Sequence, residues 1–310
     1  MPSRDRLIHP YTRSWFSILG LALMTLSVSC SSGLATAPTA DSPVHATTDS
    51  TIDSTALAQN SSQSDNEKTL AEIASAQVIY LGETHNSEGD HLAQLEIIEA
   101  IATQGPLAIG LEMFQRPFQP VLDRYLAGTI TEAELIEQSE YETRWGYDWE
   151  LYAPIIRYAK DNQIPLIALN TPTEITRQVA GEGLASLSGD ALTYIPPVDE
   201  IDTTDQAYKD SVAAVFNAHG GAGHSLSFDN FFAAQVLWDE TMAEAVVKQL
   251  EADPERQVIV LAGEGHIAFN YGIPNRVERR VPDIEQASVR LVPADQPTED
   301  GFADFSWITP

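Results

Sequence analysis

Two short apolar runs, each leading into the same tetrapeptide pattern, restrict the possible folds of this chain more than any other feature. Val78-Ile79-Tyr80-Leu81 precedes Gly82-Glu83-Thr84-His85, and Val258-Ile259-Val260-Leu261-Ala262 precedes Gly263-Glu264-Gly265-His266. Runs this short and this rich in β-branched residues read as buried strands rather than helices. Strands apolar along their whole length are covered on both faces, which is the habit of parallel sheets flanked by helices. Both tetrapeptides then lie at strand carboxyl ends, where open α/β sheets bind their ligands. Within each one, a glycine releases the chain into a turn, and a carboxylate and an imidazole stand two residues apart. Those are the usual parts of an acid/base pair or a metal site.

The remaining pattern agrees with that architecture. A helix is expected over about 87–103, with Leu92, Leu95, Ile98 and Ile101 at helical spacing and Gly105-Pro106 as its stop, followed by a strand from Leu107 to Glu112. Residues 116–160 read as helical and are longer than one crossover needs, so they form a smaller inserted or cap region. That region carries a Thr131-to-Glu134 capping signal and an aromatic cluster of Trp145, Tyr147, Trp149 and Tyr152. A third strand runs from Pro165 to Asn170, and Thr171-Pro172-Thr173-Glu174 starts a helix. Periodicity fades over 183–227, which reads as a candidate lid, before a helix at 229–250, the strand ending at Ala262 and an edge strand at 287–292. The fold class is therefore α/β, a mostly parallel sheet flanked by helices. The folded domain is expected over 67–296, with 297–310 as a C-terminal tail.

The first residues read differently. Arg4, Arg6 and Arg13 form a basic start, Trp15 to Val28 is mostly apolar, and Cys30 follows small residues. Residues 1–29 are thus expected to be a signal peptide. The apolar run is too short and too dotted with Ser and Thr for a span of about 20 apolar residues. Leu26-Ser27-Val28-Ser29-Cys30 resembles a lipobox, which makes Cys30, the one cysteine of the chain, the expected lipidation site. Ser31 behind it leans toward outer-membrane sorting. Residues 30–66 are dominated by small polar residues and read as a flexible tether. The expected location is a bacterial cell envelope, lipid-anchored and facing the periplasm or on the outer membrane. A formal net charge of -28 excludes nucleic acid as a partner, because phosphate contacts require clustered Lys and Arg.

Four strand ends offer polar groups: Glu83 with His85, Glu112, Asn170, and Glu264 with His266. Glu112 closes an otherwise apolar strand, and a buried carboxylate without a partner is costly. A metal ion, the two histidines, or an arginine such as Arg144 or Arg157 would serve. The bland alternative is a structural network of buried acids and histidines. No serine nucleophile elbow or Cys-His pair is present.

Taken in order, Gly82-Glu83-Thr84-His85, Leu111-Glu112-Met113-Phe114, the stretch Ala234-Gln235-Val236-Leu237-Trp238-Asp239-Glu240-Thr241-Met242-Ala243 and Gly263-Glu264-Gly265-His266 resemble the ChaN-type haem-binding lipoproteins. The resemblance runs from about residue 70 to 290. It implies haem binding during iron acquisition, with iron held by a tyrosine. Tyr147 is the first candidate and Tyr152 the second, while Trp145 would stack on the porphyrin and Arg144 would meet a propionate. The wider group, with the Tiki and TraB proteins and the erythromycin esterases, implies an alternative, a metal-dependent hydrolase or protease. There His85, Glu112 and His266 would hold zinc or manganese, Glu83 or Glu264 would activate water, and His91 would add a ligand or cap its helix. The partners implied are haem or another small molecule, a membrane through the lipid anchor, and a second copy of the chain as a homodimer.

Overall fold

The computed structural model of the chain describes residues 54–218, 227–296 and 299–310. The basic and apolar start, Cys30 and the Gly/His run 219–224 lie outside the described residues. Six strands form one sheet, β1 (Val78–Glu83), β2 (Leu107–Gln115), β3 (Leu166–Asn170), β4 (Gln257–Gly263), β5 (Gln286–Pro293) and β6 (Phe305–Thr309), in the order β3-β2-β4-β1-β5-β6. Every pairing is parallel.

Strand parity sorts the side chains. Ile79, Leu81, Ile109, Leu111, Ile259 and Leu261 pack toward α2 (Glu88–Ala102), α3 (Gln119–Leu126) and α6 (Trp149–Asp161). Val78, Tyr80, Val258 and Val260 pack on the other face, toward α9 (Phe228–Ala252) and α10 (Ile273–Arg280). The helix after β1 and the helix after β4 therefore lie on opposite faces, and β1 and β4 are neighbours. That is a topological switch point, the place where an α/β sheet opens a crevice at its carboxyl ends. Because β4 lies between β1 and β2, with Glu83 level with Gly263, the tetrapeptides and Glu112 arrive on three adjacent strand ends.

Both edges of the sheet are closed by a side-chain amide. Gln119 donates to the Leu166 carbonyl at 2.8 Å and accepts from the Ala168 amide at 2.7 Å, so it imitates a strand beside β3. Asn66, on α1 (Ser54–Ile73), does the same for Ile308 of β6, with both bonds at 2.9 Å. Open strand edges invite pairing with other chains, and these amides occupy them.

Several expectations are corrected. The edge strand is not 287–292 but β6, in the stretch read as a tail, and Trp307 is buried in the core there. The tether reading of 30–66 ends earlier, since α1 begins at Ser54 and docks on β6. The insert is not one helical run: a 3-10 turn at Arg116–Phe118, α3, α4 (Glu132–Gln138), α5 (Tyr141–Arg144) and α6 follow in turn. Pro117 and Pro120 occur at helix starts, and Gly128 and Gly146 take φ of 70° and 84° at the breaks. Part of the candidate lid is packed structure. Leu187, Ile195 and Ile201, with Tyr208 of α8 (Gln206–Ala218), form a third core against α7 (Thr173–Glu182) and α9. Among the described residues no helix is long and apolar enough to cross a membrane.

Trp307→Ala tests whether β6 belongs to the cooperative fold. Removing a fully buried tryptophan should cost about 3–5 kcal/mol in urea unfolding, and a loss under about 1 kcal/mol would leave β6 peripheral.

Candidate functional site

At the end of β1, Glu83 keeps the parity of the α2 and α6 face and is buried there. The chain then leaves the sheet through a turn fixed by Asp90, which accepts from the Thr84 amide at 2.7 Å and from the Ser87 hydroxyl at 2.7 Å. This turn brings His85 back, so its Nδ1 donates to Glu83 at 2.9 Å. Glu83 also accepts from the Tyr152 hydroxyl at 2.6 Å and from Gln94 at 2.7 Å. His91 packs behind, bonded to Gln94 at 3.0 Å and to the His85 carbonyl at 3.1 Å. The Trp145 ring meets His85 edge-on with centroids 4.7 Å apart.

A second group stands on the other side of Gly263. His266 Nδ1 donates to Asp239 of α9 at 2.6 Å, and Asp239 accepts from the Tyr208 hydroxyl at 2.6 Å. The Trp238 ring meets His266 edge-on at 5.2 Å. Glu112 lies between the groups, 3.4 Å from His266 Nε2 through one oxygen and accepting the Gly263 amide at 2.7 Å through the other. A side chain at Gly263 has no room, because its Cβ would fall 2.8 Å from the His85 ring. Gly272 is similarly required, since a Cβ there would run into the His266 carbonyl.

The electrostatics follow from burial and pairing. Burial works against the His266 charge, but Glu112 and Asp239 outweigh it and hold the ring up at about 10. Burial raises Glu83, yet His85, His91 and Tyr152 overcome this and bring it down to about 2. Burial opposes the charge on Glu112 as well, and His266, His85 and the Gly263 amide leave it below the ordinary carboxylate range. His85 is raised, because Glu83 and Glu112 exceed the opposing effects of burial and His266. Burial with adjacent carboxylates pushes the Tyr152 and Tyr208 phenols well up, so both stay protonated as donors.

The sequence-predicted residues divide accordingly. Glu83, His85, Glu112 and His266 converge. Glu264 does not join them: the chain turns into a 3-10 helix at Glu264–His266, and Glu264 instead pairs with Arg290 at 2.9 Å. The expected metal set of His85, Glu112 and His266 is replaced by hydrogen-bonded acid–imidazole pairs. Among the described residues no three or more His, Cys, Asp or Glu side chains are placed to hold a metal ion. Tyr152 is wholly buried behind Glu83, whereas Trp145 and Tyr147 are half-buried, with the Tyr147 ring 5.0 Å from His85. Arg144 is engaged by Glu140, Glu174 and Gln115, and Arg157 by Glu132 and Glu150, so neither meets Glu112. Asn170 donates to the Glu112 carbonyl at 2.7 Å.

From sequence, Asp239 was read only as part of the 234–243 stretch, and Tyr208 and Gln94 were not singled out. Asp239 had a signal, since adjacent acids at 239 and 240 interrupt an apolar helical stretch and both are fully buried. Tyr208 had none, lying in a segment without periodicity.

The His266 environment has a pH signature. Its folded value lies above the ordinary 6.5, so its stabilising contribution is complete below about pH 6.5 and is lost as pH rises toward 10. Glu83 has the opposite sign, contributing fully above 4.5 and losing that contribution as pH falls toward 2. Urea unfolding at pH 7, 8 and 9 should therefore show the stability gap between wild type and His266→Gln narrowing, by up to about 1.4 kcal/mol per pH unit. A gap independent of pH would contradict a charged, doubly paired His266.

Comparison with known proteins adds four findings. A solved structure of ChaN of Campylobacter jejuni, described as binding haem cofacially, superposes with a TM-score of 0.63 at 20% identity, covering 79% of this chain and 91% of that one. An erythromycin esterase mutant, EreC in its open conformation, is more distant, with a TM-score of 0.43 and 16% identity over 73% of this chain and 72% of that one. The Arabidopsis thaliana chloroplastic protein RETICULATA-RELATED 5 is 27% identical over 268 residues, covering 79% of this chain but only 36% of the plant protein. The chain thus spans about a third of that relative's length. Residues 69–277 match the family described as haem-binding uptake, Tiki superfamily, ChaN, and the chain belongs to that family.

Proposed function

We propose that this chain binds haem at the half-buried aromatic lip formed by Trp145 and Tyr147, as an envelope lipoprotein anchored through Cys30 and serving haem or iron acquisition. Family membership is the observation that carries this reading, and the placement of the lip supports it. The two rings, with centroids 5.5 Å apart, stand against His85 at the carboxyl rim of the sheet. Half-buried aromatic faces suit a porphyrin that is itself flat and largely apolar.

Tyr147 is the iron ligand in this reading, phenolate oxygen being an established ligand for haem iron. Burial, Glu112 and Glu83 hold its phenol up in the free protein. A ferric ion held there by Tyr147 would supply positive charge to offset those carboxylates. Tyr152 is excluded from ligation while its hydroxyl serves Glu83. Arg144 remains the candidate for a propionate, because its partners Glu140 and Glu174 are more than half exposed. Exposed ion pairs of that kind contribute little and exchange readily.

Titrating the full chain with hemin should shift the Soret band at micromolar concentration. Tyr147→Phe should weaken binding by about tenfold or more, about 1.4 kcal/mol, whereas Tyr152→Phe should leave the band in place. Absence of any shift, or an unaltered titration in Tyr147→Phe, would overturn the assignment.

A further inference from the structure

The two edges of the sheet are not closed alike. On the β6 side a whole helix lies along the strand, α1 bonding Ser306 through Thr69 at 3.3 Å as well as Ile308 through Asn66. On the β3 side, among the described hydrogen bonds, the outer edge is met by the Gln119 amide alone. Beside that amide a groove of about 480 Å³ runs between α3 and α9, lined by Leu166, Ile167 and Ala168 of β3 with Tyr194, Ala245 and Lys248 among others.

The pattern of the two Gln119 bonds defines what fits there. Donating to the Leu166 carbonyl and accepting from the Ala168 amide, two residues on, is what one residue of a parallel neighbouring strand does. Gln119 is half-buried, and its amide also donates to the exposed Asp123 at 2.8 Å, so it keeps a partner on leaving the strand. A peptide backbone supplies the same donor and acceptor and repeats them along its length, which a single amide cannot. Sheet edges take extended peptides in this way, with the backbone giving affinity and alternate side chains giving specificity.

Charge selects the peptide. Arg116 and Lys248 both line the groove and share the Glu244 carboxylate, at 2.6 and 3.0 Å. Two cations thus divide one acid, and the Lys248 side chain, 63% exposed, is able to turn to another. Asp123 is the one acid in the lining, whereas the chain as a whole carries a formal net charge of -28. The groove is a local break in an anionic surface and offers an exposed ammonium group. We propose that it takes an extended acidic peptide, which adds to β3 as a parallel strand in place of Gln119 and sets a carboxylate against Lys248.

Fluorescence anisotropy of a fluorescein-labelled heptapeptide of alternating valine and glutamate, titrated with the full chain, tests this. Binding should saturate at micromolar protein and exceed that of the valine–serine counterpart by about threefold, against the repulsion expected from the net charge. Lys248→Met should remove that preference. Methylating one set of alternate peptide amides should weaken binding by about tenfold or more, while methylating the other set should spare it, because only one edge of an added strand faces β3. Gln119→Ala should tighten binding by about threefold, since the competing amide is gone. No saturable binding, equal losses with both methylated sets, a preference for the neutral peptide, or weaker binding in Gln119→Ala would each overturn the proposal. Self-association of Gln119→Ala without peptide, seen by sedimentation, would overturn it in favour of a second copy of the chain on this edge.

Discussion

Burying three carboxylates at one end of a parallel sheet is the constraint on which the rest of this structure depends. Glu83, Glu112 and Asp239 are each at most 3% exposed, and an unpaired charge so placed would be strongly destabilising. Each is therefore fully provided for. Glu83 accepts from His85, Tyr152 and Gln94, Asp239 from His266 and Tyr208, and Glu112 from the Gly263 amide with His266 alongside. The strand order makes this possible, because β4 between β1 and β2 brings the three donor sets within reach. The glycine at position 263 makes it compact enough, since any side chain would displace His85.

Much of this was legible in the sequence. The apolar runs at 78–81 and 258–262 announced buried strands, and their shared ending placed Glu83, His85 and His266 at the carboxyl rim. Glu112 was conspicuous because a charged residue closes an apolar strand. What could not be read was the pairing. The repeated Gly-Glu-X-His suggests equivalent roles for Glu83 and Glu264, yet one remains in a strand and the other enters a 3-10 turn, so their side chains diverge. Local backbone geometry decides that, and spacing alone does not encode it. Asp239 and Tyr208 reach His266 only through tertiary packing of α9 and α8.

The edges of the fold show the same division. Phe305-Ser306-Trp307-Ile308-Thr309 is a β-prone run, but its place beside β5 depends on Asn66 and the docking of α1. That helix draws on a Ser- and Asn-rich sequence with little apolar character, so its order comes from contact with the sheet rather than from propensity. The insert is helical as its pattern suggested, but prolines and positive-φ glycines divide it into several helices, and part of the 183–227 segment packs as a small separate core.

Two layers of chemistry result. The outer aromatic lip of Trp145 and Tyr147 is half-buried, while the inner acid–imidazole pairs are buried and oriented. His85 joins the two layers through its ring contacts and its bond to Glu83. Both histidines are held by carboxylates through Nδ1. Nitrogen-15 NMR of the ring nitrogens of His85 and His266 at neutral pH tests it most directly. Nδ1 should carry a proton in both rings, and a ring with hydrogen on Nε2 alone, at either position, would contradict the carboxylate pairing.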